Sequence, residues 1–504
     1  MLKLLLTIGG GIAMGLTPDP FRLWWLAWIG VVPLWVSLTK VKPLTGFGLG
    51  FSWGMAYHGM ALFWITGVHP MTWLGVSWWH SLTIATVVWL IITLFGALLS
   101  GLWAGGMAWA GLQGWHKIIC ACALFSSLEV VWSWTPLYWT ALGYTQSPDN
   151  LIILQISKLA GQQTVTAAIM AVNGLIGEAV LSKGIARKMY IYTCLGLVAI
   201  MGSYGLWSMY IDRAGDLTPI RAGIIQGNIA NPVKLRPEGI QTAIDNYYQG
   251  YLQLAQSGAE LILTPEVAIP LRYSPDHPSF ALFRSAVQTY GVPLWLGAFG
   301  NLNPDRPDYT NSLFLLAKQE PTTPQYNKVR LVPVGEYIPF REIVGGLIRR
   351  LSPLRGEVVA GANDQIIDSP WGRLIMGICY ESAYPQHFRY QAEAGGQLIL
   401  TASNNAHYAE SMPAQHHAQD VARAVETDRW AVRATNTGYS GIVDPKGRTI
   451  WRSSINTYEV HQETVYLRTS KTLYVQWGDW LTPLLDLISL AIVIKLRLLP
   501  SAPI

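Results

Sequence analysis

The chain is poor in charge: Asp, Glu, Lys and Arg make up 13% of its 504 residues, about half of the roughly 25% found in soluble domains. Set beside 51% hydrophobic residues, that shortage excludes a freely soluble or disordered protein. Cysteine is scarce as well. Cys120, Cys122 and Cys194 lie in apolar runs and Cys379 alone lies in a polar stretch, so no disulfide framework is expected, and Cys120 and Cys122 are too close together for a zinc site. No block of Lys or Arg is present and the net charge of +5 is small and spread out, which argues against nucleic acid as a partner. Internal repeats and low-complexity linkers are missing too.

The shortage of charge is local. Only 16 of the 65 charged residues fall in residues 1–217, together with 17 of the 23 Trp, a residue whose ring and N–H suit the membrane interface. Apolar stretches of roughly 20 residues, long enough for a membrane-spanning helix, occur near 2–18, 23–39, 45–66, 82–112, 118–135, 163–182 and 189–211, with an eighth at 478–497. The first reads as a retained helix and not a cleaved signal, because Thr17-Pro18-Asp19-Pro20 offers no small-residue cleavage site. Short-loop basic residues resist translocation. With the N-terminus cytoplasmic, Lys3, Lys40, Lys42, Lys117, Lys183, Arg187, Lys188, Lys495 and Arg497 fall on the cytoplasmic side, and only Arg22 and Lys158 fall opposite. Both termini are therefore expected in the cytoplasm and the large polar region outside it. His58, Glu129, Asn173 and Glu178 sit inside spans, where ionisable groups face protein or a cavity. Glu129 is read as either a groove lining or an interhelix hydrogen bond, and Glu178 as reaching the interface.

Three parts are expected: a bundle of seven helices over 1–217, an α/β domain over 218–470, and an eighth helix with a tail over 471–504. Within the polar part, Arg221–Gln226, Leu261–Thr264, Leu294–Gly297, Ser312–Leu316, Leu374–Ile378 and Leu398–Thr401 read as strands, several of them apolar on both faces and hence buried. Residues 239–257 and 413–428 have apolar positions at helical spacing, so a layered α/β fold follows. Pro304 to Pro307 and Pro321 to Pro324 mark loops.

Three of these strand ends or adjoining loops carry reactive residue types. Thr264-Pro265-Glu266 places a carboxylate at a strand's C-terminal end, where open α/β sheets put their sites, although an acid there is more often a cap or a surface charge. Tyr326 through Tyr337 sets Lys328 and Glu336 eight residues apart in a loop rich in Pro and Gly, and a surface role competes with a functional one. Met376-Gly377-Ile378-Cys379-Tyr380-Glu381 puts the unpaired thiol at another strand end, as nucleophile or as buried structural group. Together they supply acyl transfer through a covalent intermediate: Cys379 as nucleophile, Glu266 as general base and then acid, and Lys328 with the backbone N–H of Tyr380 at the oxyanion. His407, His416 and His417 are spaced too irregularly for a metal site and read as part of a polar loop.

Those motifs carry a resemblance. The polar part resembles the nitrilase, or carbon-nitrogen hydrolase, superfamily, and the whole chain is similar to its membrane-embedded branch, the apolipoprotein N-acyltransferase family. The most specific pieces are Tyr326 through Pro339 and Gly377 through Glu381, with Thr264-Pro265-Glu266 and Ser403-Asn404-Asn405 in support. The resemblance implies an eight-span α-helical bundle plus an αββα sandwich, a catalytic triad of Glu266, Lys328 and Cys379, and supporting or substrate-binding roles for Glu336, Tyr380, Glu381 and Asn311. It implies no cofactor and no metal. Its partners are a phospholipid acyl donor, a diacylated apolipoprotein acceptor and the bilayer, and it is expected to act as a monomer in a bacterial inner membrane with the catalytic domain on the periplasmic side. The product would be an N-acylated S-diacylglyceryl-cysteine, made through a Cys379 thioester. Asn405, His407 and Tyr408 depart from the family's usual Asp-Ala-Trp-Phe after Ser403-Asn404, and Leu235 stands where many relatives have Trp, changes that bear on acyl or acceptor specificity.

Two other readings remain at this stage. A membrane-tethered amidase would use the same triad but needs only one helix as an anchor, and a silent scaffold would leave the triad vestigial. Loops around 270–280, 340–360 and 405–415 are long enough to act as lids.

Overall fold

A computed structural model describes residues 1–211, 218–301, 308–318, 323–338, 356–406 and 408–498. The chain forms two compact units, one of Met1–Thr66, Ile84–Asp212 and Thr472–Ile504, the other of Gly67–Thr83 and Arg213–Lys471. Gly67–Thr83, an interruption between two apolar stretches, thus groups with the polar unit.

The first unit is helical. Among the described residues four helices are long and apolar enough to cross a membrane: Trp78–Ala110, Gly114–Ser133, Gln162–Leu181 and Gly184–Tyr210. The other four expected stretches give something different, for local reasons. The first is a helix of 14 residues, Leu2–Gly15, followed by Thr17-Pro18-Asp19-Pro20. The second breaks into Trp24–Trp28 and Val32–Ser37 around Gly30 and Pro33, because proline has no N–H to give. The third, Pro43–Ala61, holds five glycines, which lower its hydropathy and let it pack closely. A Cβ on Gly50 would lie 2.4 Å from that of Ala104, and Gly46 and Gly54 press on the same partner helix. The last, Leu481–Leu498, carries Asp486, Lys495 and Arg497.

Within this unit Gln162–Leu181 is the hub, 72% buried, whereas Gly184–Tyr210 is 17% buried and leaves apolar surface that only hydrocarbon covers at low cost. The buried polar groups hold helices together. Glu129 accepts the N–H of Leu142 at 2.7 Å and the Thr166 hydroxyl at 2.7 Å. Asn173 accepts the N–H groups of Val31 and Val32. Glu178 does not reach an interface: it is buried, accepts Trp35 Nε1–H at 2.9 Å and pairs with Lys117 at 3.5 Å. Lys117 is accordingly a buried helix residue and not a loop charge.

Among the described residues the second unit holds twelve strands: β1 (Thr218–Gln226), β2 (Leu261–Leu263), β3 (Leu294–Asn301), β4 (Tyr309–Leu316), β5 (Gln325–Asn327), β6 (Ile367–Ser369), β7 (Gly372–Ile378), β8 (Ile399–Ser403), β9 (Ala431–Thr435), β10 (Gly441–Val443), β11 (Thr449–Arg452) and β12 (Glu459–Leu467). They form two six-stranded sheets, ordered β12-β1-β2-β3-β4-β5 and β11-β10-β9-β8-β7-β6. Pairing is parallel along β1-β2-β3 and β7-β8-β9. The period of two in each strand sorts the side chains. Ala222, Ile224, Leu261, Leu263 and Trp295 face Leu374, Met376, Ile378 and Leu400 between the sheets. Ile225, Ile262, Leu294 and Leu296 point the other way, under helices Pro237–Gln256 and Pro278–Tyr290. Helices Pro385–Glu393 and Ser411–Thr427 pack by the second sheet, which completes the αββα sandwich. Ser411–Thr427 is buried nearly throughout although polar. Of the loops considered as lids, 270–280 is tied down by Tyr273 N–H to Phe299 O at 2.7 Å, and 340–355, like 304–307, lies outside the described residues.

Candidate active site

Cys379 stands where β7 ends and a short 3-10 turn, Cys379–Ala383, begins. Its φ is +53°, a left-handed backbone that a side chain other than glycine adopts at a cost of about 1–3 kcal/mol. A strand running into such a tight turn lifts one side chain out of the sheet at its C-terminal edge. The turn is fixed from behind by His416, whose Nε2 lies 2.7 Å from Cys379 O. His416 and His417 belong to the buried helix Ser411–Thr427, not to a loop, and His407 lies outside the described residues.

Glu266 follows β2 directly. Gly297 in β3 makes room for this turn: a Cβ there would sit 2.0 Å from Pro265 O. Val267, next in the chain, and Val334, near Glu336, both hold positive φ, +46° and +68°, genuine outliers for β-branched residues. Backbone strain therefore gathers around each functional loop.

Lys328 brings the pieces together. Its Nζ, 1% exposed, lies 2.8 Å from Glu266 Oε1 and 2.9 Å from Glu336 Oε2. Asn311, on β4, donates its side-chain N–H groups to Glu266 Oε1 at 2.7 Å and Glu336 Oε1 at 2.9 Å, and its main-chain carbonyl accepts the backbone N–H of Lys328 at 2.8 Å. The far oxygen of Glu266, Oε2, accepts the backbone N–H of Asn404 at 2.9 Å. The same N–H of Asn404 also acts on the Cys379 thiol.

Glu381 has another task. Fully buried, it accepts the N–H of Ile378 at 2.6 Å, of Val329 at 2.5 Å and of Arg330 at 3.1 Å, and the Tyr326 hydroxyl at 2.7 Å. It ties the lysine segment to the turn that carries Cys379. Tyr380 is half-buried with its ring 5.3 Å from that of Tyr384. Tyr408 stands within the electrostatic reach of Cys379, Lys328, Glu266 and Glu336. Asn405 donates toward His416 Nδ1 at 3.2 Å.

Charge follows this geometry. Burial pushes the Glu266 carboxyl up, but the Lys328 ammonium and the hydrogen bonds from Lys328 and Asn311 outweigh it, leaving the group below the usual carboxylate value. Burial pushes Lys328 down, and Glu266 and Glu336 outweigh it, holding it well above the ordinary lysine value. The Cys379 thiol is pushed up to about 12 by burial and then by the charge of Glu266, against Lys328 and the Asn404 N–H. At neutral pH the resting site is thus an ionised acid, a charged lysine and a protonated thiol, which calls for a base in the attacking step.

Sequence reasoning brought Glu266, Lys328, Cys379, Glu336, Asn311 and Glu381 to this place, and missed the Asn404 N–H, His416 and Lys234. Lys234 lies in a one-turn helix, Asn231–Lys234, and donates to Glu266 O at 3.3 Å. Its signal was weak: one lysine in a polar turn.

Residues 221–471 match the family model described as carbon-nitrogen hydrolase, and residues 10–175 match that of the apolipoprotein N-acyltransferase N-terminal domain. An apolipoprotein N-acyltransferase of Nostoc sp. is 50% identical over 94% of this chain and 95% of its own. Those of Synechocystis sp. and Thermosynechococcus vestitus are 40% and 39% identical, over 94% and 95% of this chain and 97% and 94% of theirs.

Proposed function

This chain belongs to the apolipoprotein N-acyltransferase family, and on that premise we propose that it moves an acyl chain from a membrane phospholipid to Cys379 and then to the α-amine of the S-diacylglyceryl-cysteine at an apolipoprotein's N-terminus. The observation that carries the reading is the convergence of Glu266, Glu336 and Asn311 on Lys328, beside a thiol on a strained turn.

In the first half-reaction Glu266 takes the Sγ proton as sulfur attacks the ester carbonyl. Two N–H donors of Lys328 are held by Glu266 and Glu336, which aims the third at the developing oxyanion, with the Tyr380 N–H as a second donor. The C–O bond breaks, Glu266 returns the proton to the leaving oxygen, and lysophospholipid departs from a thioester. In the second half-reaction the unprotonated α-amine attacks that carbonyl, Glu266 accepts its proton, and the thiolate leaves and is reprotonated. One carboxylate therefore serves as base and acid in both halves. Glu336 and Asn311 position the lysine.

Both substrates are lipids that leave a bilayer at about 0.8 kcal/mol per CH₂, which accounts for a catalytic unit joined to apolar helices. The excess of basic residues in the short loops supports a bundle of up to eight membrane segments with both termini cytoplasmic and the catalytic unit on the periplasmic side of the inner membrane. A single copy contains the whole triad, which supports action as a monomer. The test is Cys379→Ser assayed with phospholipid and a diacylated lipoprotein peptide. Transfer is expected to fall by about 10⁴-fold or more, as when a triad member is removed; near-normal transfer would refute the covalent route.

A further inference from the structure

Lys234 is a second buried lysine at this site, 5% exposed. Among the described residues its Nζ makes one hydrogen bond, to the main-chain carbonyl of Glu266 at 3.3 Å, and no ion pair. Burying an ammonium against a lone carbonyl is costly, and nothing in that single bond offsets the cost. Among the described residues Glu266, at the end of β2, acts on it electrostatically, and so does Cys379, at the end of β7, once it is a thiolate. Lys328 holds Glu266 by the carboxylate, at Oε1, and Lys234 holds it by the main chain. Glu266 and Glu336 bring two negative charges against the one positive charge of Lys328, and Lys234 supplies the balancing cation.

We propose that Lys234 is an electrostatic positioning residue, a second cation that keeps the Glu266–Cys379 pair holding a single proton and so ready for attack. The proposal rests on the acyl-transfer reading above. Deprotonation moves negative charge from the Glu266 carboxylate to Sγ, and Lys234 favours the charge at either place. Without it, the Glu266–Cys379 pair takes up a second proton more readily and loses its last one less readily, so thiolate is harder to form. Burial draws Lys234 down to about 8, the Glu266 carboxylate holds it up against that, and the Cys379 thiolate adds to this once it forms.

The test is the rate of Cys379 alkylation by iodoacetamide in the full-length membrane protein, measured across pH for Lys234→Met, Lys234→Gln and Lys234→Arg. In the Met and Gln variants the rate at neutral pH is expected to fall about tenfold or more and the acid limb to move up by about one pH unit, a unit of pKa being tenfold in population. The Gln variant keeps a donor for Glu266 O and covers the case in which Met fails to fold. Arg is expected to restore both rate and limb. An unmoved acid limb in the neutral variants, or an Arg variant as slow as they are, overturns the inference. Cys379→Ser that still transfers acyl chains would instead sink the proposed function, leaving this measurement to stand or fall separately.

Discussion

Buried acids occur in both units, and they differ in company. In the helical unit they act one at a time: Glu129 holds Leu142 and Thr166, and Glu178 holds Trp35, the Gly114 N–H and Lys117. In the sheet unit Glu266 and Glu336 converge on one lysine, and Glu381 holds the segment that carries it next to the thiol. Burial of an acid shows only that its oxygens found donors. Convergence of two on one cation beside a thiol is what sets the proposed site apart.

The comparison can be broken by substitution. Glu266→Gln removes the proposed base and is expected to slow acyl transfer by about 10²–10⁴-fold with the fold intact, read by single-turnover kinetics and circular dichroism. Glu381→Ala strands four donors and is expected to cost at least about 4 kcal/mol of stability, at 1–3 kcal/mol for each unsatisfied group, seen as a lowered Tm of the catalytic unit. Glu129→Ala strands two donors in the helical unit and is expected to cost about 2 kcal/mol, with the chemistry on Cys379 kept within about threefold, as for a residue outside the site. Loss of that chemistry in a folded Glu129 variant would erase the distinction between the two sets. Smallest of all, Arg373→Ala breaks an exposed pair with Asp368 and is expected to change stability by less than about 1 kcal/mol.

Much of the catalytic unit was legible because its signals are local. Leu261–Leu263 and Gly372–Ile378 are apolar runs, and Glu266 and Cys379 follow them within a few residues, so strand ends and chemistry could be read together. Asn311 was reached through the resemblance alone, whereas Glu336 stood out by its spacing from Lys328 and took its role from the resemblance. Lys234, the Asn404 N–H and His416 were not, since their partners come from other strands and only the folded sheet edge assembles them. The helical unit shows the same limit. Hydropathy windows register composition, but not the break at Gly30 and Pro33 or the close packing of Gly46, Gly50 and Gly54. Charge counting placed Lys117 in a loop because Glu178, its partner, lies on another helix. The short strands β9 to β11, of three to five residues, carry too few positions for a period of two to stand out.

The central claim is that Cys379 carries the acyl chain. Purified protein incubated with phospholipid, with acceptor peptide withheld, is to be digested and weighed by mass spectrometry. A peptide containing Cys379 heavier by one acyl group, cleaved by hydroxylamine and discharged when the diacylated acceptor is added, is the result predicted. An unmodified Cys379 peptide from protein that goes on to N-acylate the acceptor would contradict the account.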